Sequence, residues 1–209
     1  DTVNSPGSVT LTLENTEVKN MSGYSLLLRG STIRAYNCVF ANTGNQTTNI
    51  LYGGDYKFYH CTIANYWNGS NRTSPALSLN NYYNAARNLD AYFGNCIIYG
   101  NNDSEFGIDS FPSTGYFNFM FDHCLLKVEN TFSTNSYRYQ SVVRAVGGNN
   151  SPGFADPTNN NYRLDSLNSS AIDRGDAAIL SASPLLNFDL DGTPRPQRLA
   201  PDLGAYERQ

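Results

Sequence analysis

The stretch YHCTIANY at residues 59–66 is one of four versions of a single phrase. The others are YNCVFANT at 36–43, GNCIIYGN at 94–101 and DHCLLKVE at 122–129. With Cys38, Cys61, Cys96 and Cys124 as position zero, LENTEVKN supplies an earlier copy that has Thr16 in that place. The spacings are 22, 23, 35 and 28 residues. A fixed local phrase at unequal spacing describes one structural unit joined by loops of varying length.

The columns of this alignment carry the fold. Position +2 reads Val18, Phe40, Ile63, Ile98, Leu126; position −3 reads Leu13, Ala35, Phe58, Phe93, Phe121; position −5 reads Leu11, Ile33, Tyr56, Ala91, Phe119. Residues two apart share a face of a strand. The alternation slips between −3 and 0, so a bend lies at −2/−1. Position −1 is Asn15, Asn37, His60, Asn95 or His123. Asn tolerates the left-handed backbone that a tight bend needs.

A third strand follows in each unit, at 25–30, 49–54, 75–81 and 105–110. Asn20, Asn42 and Asn65 mark the second turn. Strand, bend, strand, turn, strand, turn describes a coil of a parallel β-helix. The fold class is therefore all-β: a parallel β-helix solenoid of about five coils with three short strands each. Residues 1–150 are assigned to the coils, with an insertion loop at 66–90, and 151–209 to a C-terminal segment of the same domain. The cysteines form one inward column as free buried thiols, rungs lying about 4.8 Å apart.

Composition narrows the function classes. Charged residues are 15 % of the chain, and net charge is −4, against about 25 % charged residues in an average soluble protein. Without a basic block, nucleic acid is excluded as the expected partner. The chain holds 27 Asn and 15 Tyr, so its polarity comes from amides and phenols. That balance suits an extracellular setting and contact with carbohydrate. No apolar run approaches the roughly 20 residues of a membrane span. A monomer is expected, and no cofactor motif is recognised.

Several constellations suggest chemistry. The His60-Cys61 and His123-Cys124 pairs resemble metal ligands, but the Cys points inward and the two His lie two rungs apart, roughly 10 Å, too far for one zinc ion. Bend-capping hydrogen bonds are the expected role of both imidazoles. Asp103, Glu105 and Asp109, with Arg29 as the cation of the third-strand face, are the catalytic candidates for a lyase or hydrolase. Glu105 and Asp109 would be about 13 Å apart along a strand, beyond the roughly 5–9.5 Å of a glycosidase pair. DLDG at 189–192 opens like a calcium loop, making Asp189 and Asp191 metal candidates, yet its twelfth position is Ala200 rather than Glu. Tyr66, Trp67, Tyr82 and Tyr83, with Arg72 and Arg87, are the ligand-binding candidates, since a loop on a rigid scaffold commonly carries function.

The tail has its own motifs. Pro152, Phe154, Asp156 and Pro157, then YRL at 162–164, SSAIDRGD at 169–176, DLDGTPRP at 189–196 and DLGAYE at 202–207 resemble the C-terminal signature of the choice-of-anchor Q family of bacterial surface proteins. The resemblance implies a right-handed, pectin-lyase-like β-helix exported to the bacterial envelope, with any anchor lying upstream of Asp1. It implies no catalytic residues. Physically the tail reads as a cap on the open solenoid end. Ala171, Ile172, Leu185, Leu186, Phe188 and Leu203 would plug that end, and Asp173, Arg174, Asp189, Arg195 and Asp202 would tie it down.

The expected function is non-enzymatic glycan binding by a secreted or cell-surface β-helix. The alternatives are a polysaccharide lyase or glycoside hydrolase on the same scaffold, and a structural stalk or protein adhesin.

Overall fold

Apolar columns of this kind require successive coils to stack in register. In the computed structural model, which describes residues 10–83, 85–111, 115–165 and 168–208 (backbone only for Tyr83, Ala85 and Ala86), three parallel sheets do so. The first sheet holds Thr10–Glu14, Thr32–Tyr36, Gly54–Tyr59, Leu89–Gly94, Phe117–Asp122 and Tyr139–Gln140. The second holds Glu17–Met21, Val39–Thr43, Thr62–Asn65, Ile97–Gly100, Leu125–Lys127 and Val143–Ala145. The third holds Leu26–Arg29, Thr48–Leu51, Leu77–Asn80 and Phe106–Asp109. The chain is a parallel β-helix.

The register follows the sequence columns. Leu11, Ile33, Tyr56, Ala91 and Phe119 are partners across the first sheet, as are Leu13, Ala35, Phe58, Phe93, Phe121 and Tyr139. Val18, Phe40, Ile63, Ile98 and Leu126 align across the second. The bend residues Asn15, Asn37, His60, Asn95 and His123 all have left-handed backbone, with φ of 45, 53, 49, 53 and 48°. Ser141, at φ 48°, repeats the bend in a sixth coil that lacks the cysteine and a third-sheet strand. The number of coils thus agrees with the expected count of about five.

Inside, Phe58 and Phe93 stack at 5.1 Å, Phe93 and Phe121 at 4.8 Å, and Phe121 and Tyr139 at 5.9 Å. Each such buried ring contributes about 1.5–3 kcal/mol through area removed from water. The four cysteines are free and buried beside this stack. The Cys96 and Cys124 sulfurs accept from the backbone N–H of Cys61 and Cys96 at 3.4 and 3.3 Å.

The tail does not plug the solenoid end. It runs along the side, over the outward face of the second sheet. That face is apolar: Val39, Ala41 and Ala64 pack against Tyr162, Ala205 and Tyr206, while Ile97, Leu125 and Ala145 pack against Leu164, Ala171 and Leu203. Its contacts reach from the first coil, where Tyr206 Oη donates to Glu17 at 2.6 Å, to the last at Ala145. Gly204 makes the closest approach. Its φ is 85°, and a Cβ there would lie 2.7 Å from Thr62 Oγ1.

Charged groups fasten the tail, as the sequence suggests, though at the bend rather than at the end. Arg195 is buried; it donates to Asn37 Oδ1 at 2.6 Å, Phe188 O at 2.8 Å, Gly204 O at 3.1 Å and Glu207 Oε1 at 3.2 Å. Asp202 accepts from the N–H of Asp173 and Arg208 at 2.7 Å each. Arg174 is exposed, and Phe188, expected in the plug, is half exposed.

Candidate functional site

Side chains at −6, −4 and −2 alternate with the core columns and therefore face outward from the first sheet. At −2, Tyr36 and Tyr59 stack at 5.4 Å with planes 6° apart, both half-buried. The next coil has Gly94 in that column. A Cβ there would sit 2.8 Å from the Tyr92 ring, so glycine lets Tyr92 lean across. Tyr92 thereby reaches within 5.5 Å of Tyr59, its plane tilted by 47°. Its hydroxyl donates to Asp122 Oδ2 at 2.8 Å, and Asp122 Oδ1 lies 2.8 Å from His123 Nδ1. Three phenols from three coils make one continuous row.

Charges flank the row. At −4 stand Arg34 and Lys57; at −6 stand Asp55 and Asp90. Arg34 grips both Asp55 oxygens, at 2.7 and 3.1 Å. The bend builds the far wall. The Asn95 side chain bonds the Asp176 backbone through both N–H and C=O, at 2.8 and 3.0 Å. Asp176 in turn caps the short 3₁₀ helix Ala177–Ala182 by accepting from Ala178 N–H at 2.9 Å. Between row and wall lies a groove of about 530 Å³, lined by Lys57, Tyr59, Asp90, Tyr92, Asp122 and residues of 176–182. A second hollow of about 310 Å³ shares Asp90 and Tyr92 and extends to Asn118, Met120 and Tyr137. Such volumes suit a small ligand or part of a longer one.

Burial pushes the Tyr59 phenol above its ordinary pKa, and Tyr36 adds to the shift. Burial and the Asp122 carboxylate do the same to Tyr92. Both phenols therefore stay protonated at neutral pH; Tyr92 donates its hydrogen bond to Asp122, and Tyr59 can donate to a ligand. The groove thus offers a phenol donor at Tyr59, carboxylate acceptors, an ammonium and apolar ring edges.

The residues expected to form a site in the insertion go elsewhere. Arg72 and Glu105 are buried against each other, with Arg72 Nη2 and Nη1 at 2.7 and 2.9 Å from the carboxylate. Glu105 also accepts from Ala76 and Asn102 N–H at 2.8 Å each. The pair ties the loop to the coil, so neither residue is free for a ligand or a reaction. Tyr66 packs among Tyr99, Phe154 and Tyr162 under the tail. Trp67 is half-buried and donates to Ser70 at 3.0 Å. Tyr82 is 42 % exposed and stacks on Phe111 at 4.7 Å. Arg87 is half-buried, its backbone clasped by Asn81. The Tyr83 side chain lies outside the described residues. Residues 77–80 within the segment form the third-sheet strand expected at 75–81.

The catalytic candidates do not converge. Asp103 is exposed in a turn, and Asp109 accepts from Asn80 at 2.9 Å. Arg29 shares a row with Asp109 but lies three rungs away, about 14 Å. Asp189 and Asp191 are likewise committed. Asp189 accepts from the N–H of Asp191, Thr193 and Glu207, and Asp191 pairs with Arg163 at 2.5 and 2.6 Å. Among the described residues, no three His, Cys, Asp or Glu side chains gather as a metal site. His60 is buried at the bend and 2.9 Å from Asn95 Nδ2; His123 faces Asp122. No helix of the described residues is long and apolar enough to cross a membrane.

Comparison with family models, with curated proteins and with solved structures finds no match.

Proposed function

We propose that this β-helix binds a glycan along the outward face of its first sheet. The carrying observation is the row of half-exposed phenols from Tyr36, Tyr59 and Tyr92 beside an open groove. Aromatic edges pack the C–H surface of a sugar, while phenols, Lys57 and carboxylates exchange hydrogen bonds with its hydroxyls. The frame is rigid, so little ordering cost opposes binding. The amide-rich composition and the tail motifs resembling choice-of-anchor Q proteins support a secreted or bacterial-surface setting. The test is native electrophoresis through gels cast with plant, host-mucin and microbial polysaccharides. Retarded migration on at least one gel supports the proposal; unchanged migration on all of them contradicts it.

One observation favours a hydrolase as the second reading. Asp55 and Asp90 are register partners on adjacent coils, about 4.8 Å apart in backbone, near the roughly 5–5.5 Å of a retaining carboxylate pair. Arg34 holds Asp55. Release of reducing ends from a bound polysaccharide, lost in Asp90→Asn, would select this reading over simple binding.

A further inference from the structure

Resting on the glycan reading, we infer that the groove selects uncharged glycans and turns away polyuronates and other polyanions. Asp90, Asp122 and Asp176 line it, and Lys57 is the cation among its lining residues. Three carboxylates against one ammonium leave an excess of two negative charges. Arg34, one coil from Lys57 in the same column, is bound to Asp55 through both terminal nitrogens and is already neutralised. Arg138 lies over the Phe119 and Tyr137 rings of the second hollow, outside the groove lining, and His123 lies against Asp122. Asp90 is exposed and lines both hollows.

The chemistry acts in both directions. An ionised carboxylate only accepts hydrogen bonds, and charge-assisted bonds from neutral hydroxyls are its strong ones. A uronate chain instead brings further carboxylates along the same line. Charges of like sign several ångströms apart at a wet surface repel enough to weaken binding about tenfold over two such encounters. Screening acts on this repulsion and leaves the hydroxyl contacts of a neutral chain largely untouched.

The test measures binding of the full chain to a neutral galactomannan, a neutral β-glucan and polygalacturonate, at low and at physiological salt. Asp90→Lys is measured beside the natural sequence, with circular dichroism confirming its fold. The expected result is retention of a neutral chain, with polygalacturonate about tenfold weaker at low salt. Salt narrows that gap, and Asp90→Lys narrows it severalfold. Polygalacturonate held as tightly as the neutral chains, or a gap indifferent to both salt and Asp90→Lys, overturns the selectivity and leaves the glycan reading standing. Failure to retain any of these three chains or any glycan of the wider gel panel overturns both.

Discussion

Arg72 and Glu105, separated by 33 residues, form a two-pronged ion pair that is almost wholly buried at the junction of the second and third sheets. Removing one partner leaves an uncompensated buried charge. Arg72→Ala is therefore expected to cost about 3–5 kcal/mol, read as a lowered urea midpoint. Arg72→Met with Glu105→Leu should cost less than Arg72→Ala alone. A stability equal to the natural sequence in Arg72→Ala would contradict the structural role.

The tail is fastened by Arg195 and by the close approach of Gly204 to Thr62. Arg195→Ala is expected to lose about 3–5 kcal/mol. In Gly204→Ala, the left-handed backbone and the crowded Cβ act together. Either change should open the 176–200 region to limited proteolysis while the coils persist. Unaltered protease resistance in both variants would argue against lateral docking.

The bend makes stability depend on pH. Burial, with the Arg195 charge nearby, holds the His60 imidazole well below the usual histidine range. Above about pH 6.5 it is neutral folded or unfolded. Below that, the unfolded chain takes up a proton that the folded chain refuses, so the contribution of His60 is lost in acid. Glu207 has the opposite sign. Burial and Asp202 push it up to about 7 from 4.5, so the folded chain keeps a proton across that window that the unfolded chain releases. Its contribution is lost as pH rises through the window. His60→Asn, which supplies the amide used at 15, 37 and 95, removes only the first effect. Its unfolding free energy should climb on acidification from about pH 7 to about pH 5, against a flatter natural curve. Superimposable profiles would refute this balance.

The hydrogen bond with Cys61, then burial, raises the Cys38 thiol, and burial raises Cys96. Against its burial, neighbouring thiols lower Cys61. All four cysteines are enclosed, out of reach of a reagent. Since the thiolate is the reactive form, a thiol reagent should label none of them in the native protein and all four in denaturant. Rapid native labelling of any one would show that the column is open.

The inward half of the fold was legible because the spacing is fixed at two residues and at the bend. Leu13, Ala35, Phe58, Phe93 and Phe121 can be read as a column with no knowledge of the loops between them. The lateral tail left a signal of the same kind that is easily passed over. Val39, Ile97 and Leu125 at +1, with Ala41, Ala64 and Tyr99 at +3, make the outward face of the second sheet apolar. An apolar outward face must be covered, and the tail supplies the cover.

The site was half legible. Tyr36 and Tyr59 share the −2 column, but the inward turn of Arg72 depends on a partner 33 residues away, and no periodicity marks it. Aromatic residues in a long connection draw attention as ligand contacts. Here Tyr66 packs under the tail and Tyr82 meets Phe111 instead.

The most direct test of the groove is the affinity of Tyr59→Ala and Tyr82→Ala for the polysaccharide that most retards the natural chain. Tyr59 stands mid-row in the groove; Tyr82 lies on the third-sheet side. Isothermal titration should show Tyr59→Ala weakened about tenfold, roughly the loss of one aromatic contact, with Tyr82→Ala unchanged. Equal binding by Tyr59→Ala and the natural chain, or a loss confined to Tyr82→Ala, would contradict the assignment of the groove.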